Sequence, residues 1–515
     1  MLDLNGAPIE RPHLLNLPQI LSTESPRLNP RVAPIISTII GVGTVVIFLA
    51  LLAQAFFRQG LAGWSVGLVY IFYDTCLLAF TAWQMRLILT PKPSMSRAIE
   101  MPTLGVIIAA HNEELALPVT MDGLMAQTDV PDLIVIADDG SSDGTDALLT
   151  TRYGLVPGVL SRFVPSEVEG QSQMCLDAAR HERQPGVQLL WLPVPHGGKA
   201  RALNYAMTHV DTEIVLTVDA DTLIEEHAIA AMRASFAAEP ALVAATGILT
   251  PVCGNGIQGR FFEWFQRYEY IRNFVSRFAW ERLNALLLIS GAFAAFRRSA
   301  VLNVGGFDPE CLVEDYELIH RLHRHSTDHG LGWTVRVVAG AQARTDAPET
   351  LPAFLRQRRR WFAGFLQTQR WNRDMTGNPR FGKLGTAMMP VKALDTLQPI
   401  YGLAAFAILI GALSLGRLRV ALPIIIVMLC KVVIDLSFHL WSLGVYRRWT
   451  GAPKPVSYPK AVLAAILEPF SFQLMRHAGA AWGWWTFLGD RWGWSKQSWG
   501  KTGSDAGRGG IVAQG

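Results

Sequence analysis

Ile214-Val215-Leu216-Thr217-Val218-Asp219-Ala220-Asp221 is a β-branched apolar run closed by two acids one residue apart. A continuous apolar run, rather than an alternating one, predicts a strand buried on both faces of a parallel sheet. Side chains two apart leave a strand on the same side. Asp219 and Asp221 therefore converge at the carboxyl end, where open α/β sheets take ligands. Converging carboxylates repel unless a hard divalent cation lies beside them. A turn capped by Asp is the plainer reading of the same residues.

Upstream, the pattern repeats three times. The apolar stretch 104–110 runs into His111-Asn112-Glu113-Glu114. The stretch 133–137 runs into Asp138-Asp139-Gly140-Ser141, and 189–193 precedes His196-Gly197-Gly198-Lys199. A helical pattern follows each. Strand, polar loop and helix in repetition predict parallel βαβ units with right-handed crossovers. Every polar motif then falls at the same edge of one sheet. Lys199 can reach a phosphate as a point charge, although the spacing is not that of a P-loop. His111 and His196 read as lone histidines without ligand partners, and neither is taken as a metal site. Asp315, in Glu314-Asp315-Tyr316, opens a helical pattern. It suits a general base and equally a helix cap.

Outside this region the chain becomes membrane-like. Residues 32–57 and 63–83 are apolar stretches long enough to cross a bilayer core of about 30 Å. Three more follow, at 396–415, 420–445 and 461–488, the last broken by Glu468-Pro469 and Arg476-His477. Arg27 and Arg31 precede the first span, and Arg86, Lys92 and Arg97 follow the second. Basic flanks place both on the cytoplasmic side. Asp74 lies within the second span; Lys431 and Asp435 lie four apart in a later one and predict an internal pair. The stretch 352–369 mixes Phe354, Trp361 and Phe365 with Arg356, Arg358, Arg359 and Arg360, an amphipathic basic helix of the interfacial kind.

Half of the 515 residues are hydrophobic, too many for an ordinary soluble enzyme. A net charge of +4 gives no basis for bulk nucleic-acid binding. The five cysteines form no CxxC and read as scattered reduced thiols facing the cytosol. The expected layout is a mobile arm at 1–31 and two transmembrane helices in 32–90. An α/β domain with a mostly parallel sheet spans 103–345. Amphipathic interface helices holding Gln357-Arg358-Arg359-Arg360-Trp361 occupy 346–385. About three transmembrane or re-entrant segments fill 390–490, and 491–515 is a flexible tail.

Taken in order, the chain resembles the processive, membrane-embedded family 2 glycosyltransferases: cellulose, chitin and hyaluronan synthases and, closest in feel, bacterial poly-N-acetylglucosamine synthase. The pieces that carry the resemblance are His111-Asn112-Glu113-Glu114, Asp138-Asp139-Gly140-Ser141, Gly198-Lys199-Ala200, Asp219-Ala220-Asp221, Ser290-Gly291-Ala292-Phe293, Glu314-Asp315 and Gln357 to Trp361. Ala109-Ala110 departs from the Pro and small polar residue that relatives often have there. The resemblance implies a cytosolic domain of the glycosyltransferase-A type between the membrane helices, in a multi-pass protein of the bacterial inner membrane. It implies inverting transfer from a UDP-sugar, UDP-GlcNAc or UDP-glucose, to a growing β-linked glycan that leaves through the last spans.

In that reading Asp139 contacts the uridine, with Glu113 and Lys199 nearby. Asp219 and Asp221 bind the diphosphate through magnesium or manganese, Asp221 as the metal ligand. Asp315 is the catalytic base. Gln357 and Arg360 hold the pyrophosphate; Trp361, Ser290, Gly291 and Phe293 serve the acceptor. Implied partners are the UDP-sugar donor, the glycan or a lipid acceptor, and membrane lipids. An accessory secretion subunit stays open, and no nucleic acid is expected. The competing reading is a single transfer to a membrane lipid. A non-catalytic scaffold is disfavoured because Asp221, Asp315 and Arg360 are all present.

Overall fold

A computed structural model of the chain describes residues 16–58, 60–86, 100–163, 187–451 and 457–490. The start of the arm (1–15), most of the 91–102 linker, Cys175, Lys454 and the tail lie outside the described residues.

A nine-stranded sheet forms the centre, in the order β3-β4-β2-β1-β5-β8-β7-β9-β6. The strands are β1 (Leu104–Ala110), β2 (Leu133–Asp139), β3 (Leu160–Phe163), β4 (Val187–Val194) and β5 (Ile214–Asp219). They continue as β6 (Thr222–Ile224), β7 (Leu242–Val252), β8 (Phe293–Arg297) and β9 (Thr334–Asp346). The four strands read from the sequence, β4, β2, β1 and β5, are neighbours and mutually parallel. Their interior residues, such as Ile107, Val135 and Leu216, are fully buried. Each such side chain contributes about 1.5–3 kcal/mol on leaving water. Beyond β5 the sheet turns antiparallel at β8, and only the β7–β9 pair returns to parallel.

The register brings the motif-bearing ends level. Ala109 lies opposite Asp219, Ala110 opposite Asp138, and Asp139 opposite Val194. The loops after β1, β2 and β4 and the acids of β5 therefore share one edge.

Four helices are long and apolar enough to cross a membrane: Ile35–Phe57, Gly60–Met85, Leu384–Ser414 and Leu418–Thr450. Lys431 bridges two of them, bonding Asp435 on its own helix and Asp74 on the second span at 2.6 Å. The stretch 461–488 is broken: a helix Tyr458–Leu467, a tight turn Glu468–Phe470, then a helix Phe472–Asp490. Among the described residues it does not join the four long apolar helices.

Two expectations need correction. Residues 16–31 are not a free arm. The helix Leu17–Glu24 buries Leu17 and Leu21. Arg27 makes two 2.9 Å bonds to the fully buried Asp308, and Arg31 pairs with Asp328 at 2.6 Å. The basic helix Leu351–Trp371 is also not simply an interfacial one. Arg358 is 3% exposed and donates to Glu269 at 2.6 Å.

That helix is held by Phe472–Asp490, which approaches through Gly479 and Gly483. A Cβ at Gly483 would lie 2.7 Å from Phe362 Cβ and 2.8 Å from the Arg359 carbonyl oxygen. Small residues four apart allow such backbone contact between helices. We expect Gly483→Val to cost about 1–3 kcal/mol through overpacking, read as a lower melting temperature of the detergent-solubilised chain, with Gly483→Ala intermediate. Wild-type melting in both would show that this contact is not a tight one.

Candidate functional site

The shared strand edge opens into a cavity of about 590 Å³ that continues between the membrane helices. Of the residues predicted from sequence, Glu113, Lys199, Asp219, Asp221, Ser290, Gly291, Asp315, Gln357, Arg360 and Trp361 all border it.

Lys199 opens its helix directly after Gly198, whose φ of +92° glycine adopts without strain. Its ammonium pairs with the Asp219 carboxylate and lies 3.4 Å from the Gly291 carbonyl oxygen. Burial opposes its charge, but Asp219, Glu314 and Asp315 outweigh that and hold its pKa above the ordinary value. Asp221 is in the reverse position. Burial, then the charges of Asp219, Glu113 and Asp346, push its pKa well above the usual carboxylate range; Lys199 only partly offsets them. Its Oδ1 is buried with no hydrogen-bond partner. An orphaned oxygen among acids is a donor set that fits a hard divalent cation, which prefers all-oxygen ligands.

Asp315 lies in the first turn of the helix Glu314–His329. Its Oδ2 accepts the Gly291 N–H at 2.7 Å and its Oδ1 the Tyr316 N–H at 2.8 Å. The carboxylate is thereby oriented by the Ser290-Gly291 turn. Its neighbour Glu314 is buried, which raises its pKa against the pull of Lys199. The helix carries Arg321–Glu317, an i,i+4 pair with no exposure on either side. It is tied to its surroundings by Arg321 donating to the Val304 carbonyl oxygen and by Arg324–Asp374 at 2.5 Å. Breaking such a buried pair by removing one partner costs about 3–5 kcal/mol. On the other wall, Gln357 Oε1 and Arg360 Nε are buried without partners, and Trp361 carries the Arg358 guanidinium over its ring at 4.5 Å.

Two sequence-predicted residues are placed elsewhere. Phe293 starts β8, is fully buried and packs across Gly247 of β7 where a Cβ would not fit; it is core, not cavity lining. Asp139 is 1% exposed. Its Oδ1 accepts the Gly197 N–H at 2.8 Å and its Oδ2 the Gly198 N–H at 2.9 Å. That carboxylate shapes the Gly-Gly-Lys loop rather than facing the cavity. The two histidines are not isolated either. His111 and His196 stack at 4.5 Å, with Nδ1 atoms 2.8 and 3.0 Å from the Asp139 carbonyl oxygen. Together with the Asp139 carboxylate they bring three cation-capable groups within 4.8 Å.

Sequence reasoning missed Asp346, the acid at the end of β9 that adds to the charge around Asp221, and Glu269, the buried partner of Arg358. A strand closed by Asp was the available signal for the first. Nothing local marks the second.

A sequence profile described as "Glycosyl transferase family 2" matches residues 105–159, and one described as "Glycosyl transferase family group 2" matches 214–434. The poly-β-1,6-N-acetyl-D-glucosamine synthase of Staphylococcus aureus (strain COL) is 26% identical over 303 residues, 58% of this chain and 61% of that protein. The Staphylococcus epidermidis protein of the same name is 27% identical over 263 residues, 51% of this chain and 54% of its own length. The chain thus spans less than two thirds of the length of these relatives. A solved mannosyltransferase from Pyrobaculum calidifontis, in complex with GDP-Man and Mn2+, has a TM-score of 0.48 at 20% identity, covering 79% of this chain and 99% of that one. Between them the two profiles take in β1, β2 and β5 to β9 with the acids and the basic helix, and over these segments the chain is similar to the family 2 glycosyltransferases.

Proposed function

We propose that the chain is an inverting glycosyltransferase that polymerises a UDP-activated sugar, UDP-GlcNAc or UDP-glucose, into a β-linked polysaccharide and moves it across the bacterial inner membrane. The observation that carries this reading is the single cavity. It runs from Asp221 and Asp315 at the sheet edge to Asp74, Asp435 and His439 among the spans. Orphaned polar atoms recur along it, at Gln357, Arg360, His439 and His477. Buried polar groups left unpaired are costly, and a hydroxyl-rich chain passing along the cavity would satisfy them. The relatives named as poly-β-1,6-N-acetyl-D-glucosamine synthases favour UDP-GlcNAc as donor.

In the proposed reaction Asp315 accepts the proton of the acceptor hydroxyl. That oxygen attacks the anomeric carbon as the bond to the diphosphate oxygen breaks, so UDP leaves from the opposite face and the configuration inverts. Asp219 and Asp221 would hold a divalent cation, Mg2+ or Mn2+, beside the donor. When bound, it neutralises charge on the departing diphosphate. Gln357 and Arg360 donate to the same phosphates, and Arg360 suits them through its planar fork. Glu113 borders the donor end, while Ser290, Gly291 and Trp361 bound the acceptor. The sheet domain would face the cytoplasm, with membrane lipids around the four long helices and an accessory secretion subunit as a further partner.

Purified chain in lipid nanodiscs, given radiolabelled UDP-GlcNAc and UDP-glucose in turn, tests the reading. A polymer or ladder supports it, and one labelled lipid product would establish single transfer instead. Asp315→Asn should lower transfer by about 10³-fold or more while UDP affinity stays within a few-fold, since a lost general base costs on this scale. Full transfer by this variant would remove Asp315 from the role.

The raised pKa of Asp221 gives a second prediction. A cation must displace the proton that burial and Asp219 favour there. Mn2+ affinity should therefore weaken as pH falls, beginning at a higher pH than an ordinary Asp of pKa about 3.9 would allow. Chelation should abolish transfer. Asp221→Asn should flatten the pH dependence of Mn2+ binding, followed by electron paramagnetic resonance of free Mn2+. An unaltered Mn2+ titration in that variant would take Asp221 out of the cation site.

A further inference from the structure

One face of the helix Ile257–Glu281 borders the same cavity through Tyr270, Asn273, Ser276 and Arg277. Their spacing of three to four keeps them on one stripe. Among the described residues, Asn273, Ser276 and Arg277 make no side-chain hydrogen bond or ion pair. Arg277 Nε and Nη1 are buried and orphaned, and its guanidinium lies over the ring of Phe274, at 4.6 Å. Three other cations of the cavity are committed, Lys199 to Asp219, Arg272 to Glu468 and Arg358 to Glu269, whereas Arg360 on the opposite wall has an orphaned Nε of its own. Burial lowers the Arg277 pKa to about 10 against the opposing pull of Tyr270 and Asp315. An arginine stays charged under all ordinary conditions, so the group is a half-buried cation whose Nε and Nη1 lack acceptors.

We propose that this stripe is an acceptor subsite for a neutral, polyhydroxylated sugar ring, held by Asn273, Ser276 and Arg277 so that its free hydroxyl meets Asp315. The proposal rests on the glycosyltransferase reading above. An amide, a hydroxyl and a guanidinium supply both donors and acceptors, as ring hydroxyls do. Tyr270 adds an apolar face for the ring. A phosphate or carboxylate fits less well, because the Asp315 charge that reaches Arg277 would repel it.

The test uses the full chain in nanodiscs with saturating donor and short β-linked N-acetylglucosamine or glucose oligosaccharides as acceptors. Arg277→Met should raise the acceptor KM at least about tenfold and leave UDP affinity within twofold. Arg277→Lys should recover part of the loss, and Asn273→Ala should raise KM by a smaller factor. If Arg277→Met fails to fold, Arg277→Lys and Asn273→Ala carry the test alone. An active wild type whose acceptor KM is unmoved by these variants overturns the subsite. So does inhibition by inorganic phosphate or glucuronate that disappears in Arg277→Lys or Arg277→Met, because that marks an anion site. A wild type that binds UDP but transfers to no sugar fails the broader reading first, and the subsite with it.

Discussion

The structure turns on a crowd of carboxylates held at one sheet edge against a single ammonium. Lys199 neutralises Asp219 and shares its field with Glu314 and Asp315. Asp221 is left with the charges of Asp219, Glu113 and Asp346 and no hydrogen bond at Oδ1. Like charges in a buried space are tolerated only if some are protonated or countered. The fold maintains this tension with a rigid frame: level strand ends, a glycine-rich loop clamped by Asp139, and a helix anchored by the buried Arg324–Asp374 pair. An edge so acidic, with an orphaned carboxylate oxygen at Asp221, is chemically suited to a hard cation.

The same logic continues below the sheet. Asp74 and Asp435 share Lys431 between two spans, and Glu269 stands between Arg358 and Arg476. Charges at membrane depth stay tolerable when they pair and face a polar interior. The basic helix Leu351–Trp371 links the two regions. It sends Arg360 and Trp361 to the cavity and leans on Phe472–Asp490 through two glycines.

The parallel half of the sheet was legible because its strands are short, continuous and β-branched. The antiparallel half was not. β7 and β9 dilute their β-branched residues with Ala and Gly, which weakens the strand signal. Phe293 reads as an acceptor residue because it closes the Ser290-Gly291-Ala292-Phe293 motif, whereas the backbone turns at Gly291 and the ring enters the core. Ten of the twelve residues singled out border the cavity. Glu113, Lys199, Asp219 and Asp221 close or follow a buried strand, Asp315 opens a helix, and Gln357, Arg360 and Trp361 stand out as a polar and basic run among aromatics within one helix. Asp139 escaped because its partners are backbone N–H groups of a loop 58 residues later. The stripe on Ile257–Glu281 escaped because its aromatic and charged residues are so mixed that no one face stands out.

The clasp between Arg27 and Asp308 has a bearing on how the molecule is born. The two residues are 281 positions apart, and the first membrane helix begins between them, at Ile35. At about 5–20 residues per second the ribosome needs roughly 15–60 s to deliver the second after the first. The helix Ile35–Phe57, long and apolar enough to cross a membrane, would by then be made, with Arg27 waiting beside it. Asp308 would arrive as the completing stroke, drawing the newly made sheet down onto Arg27 and mooring it beside the first long apolar helix.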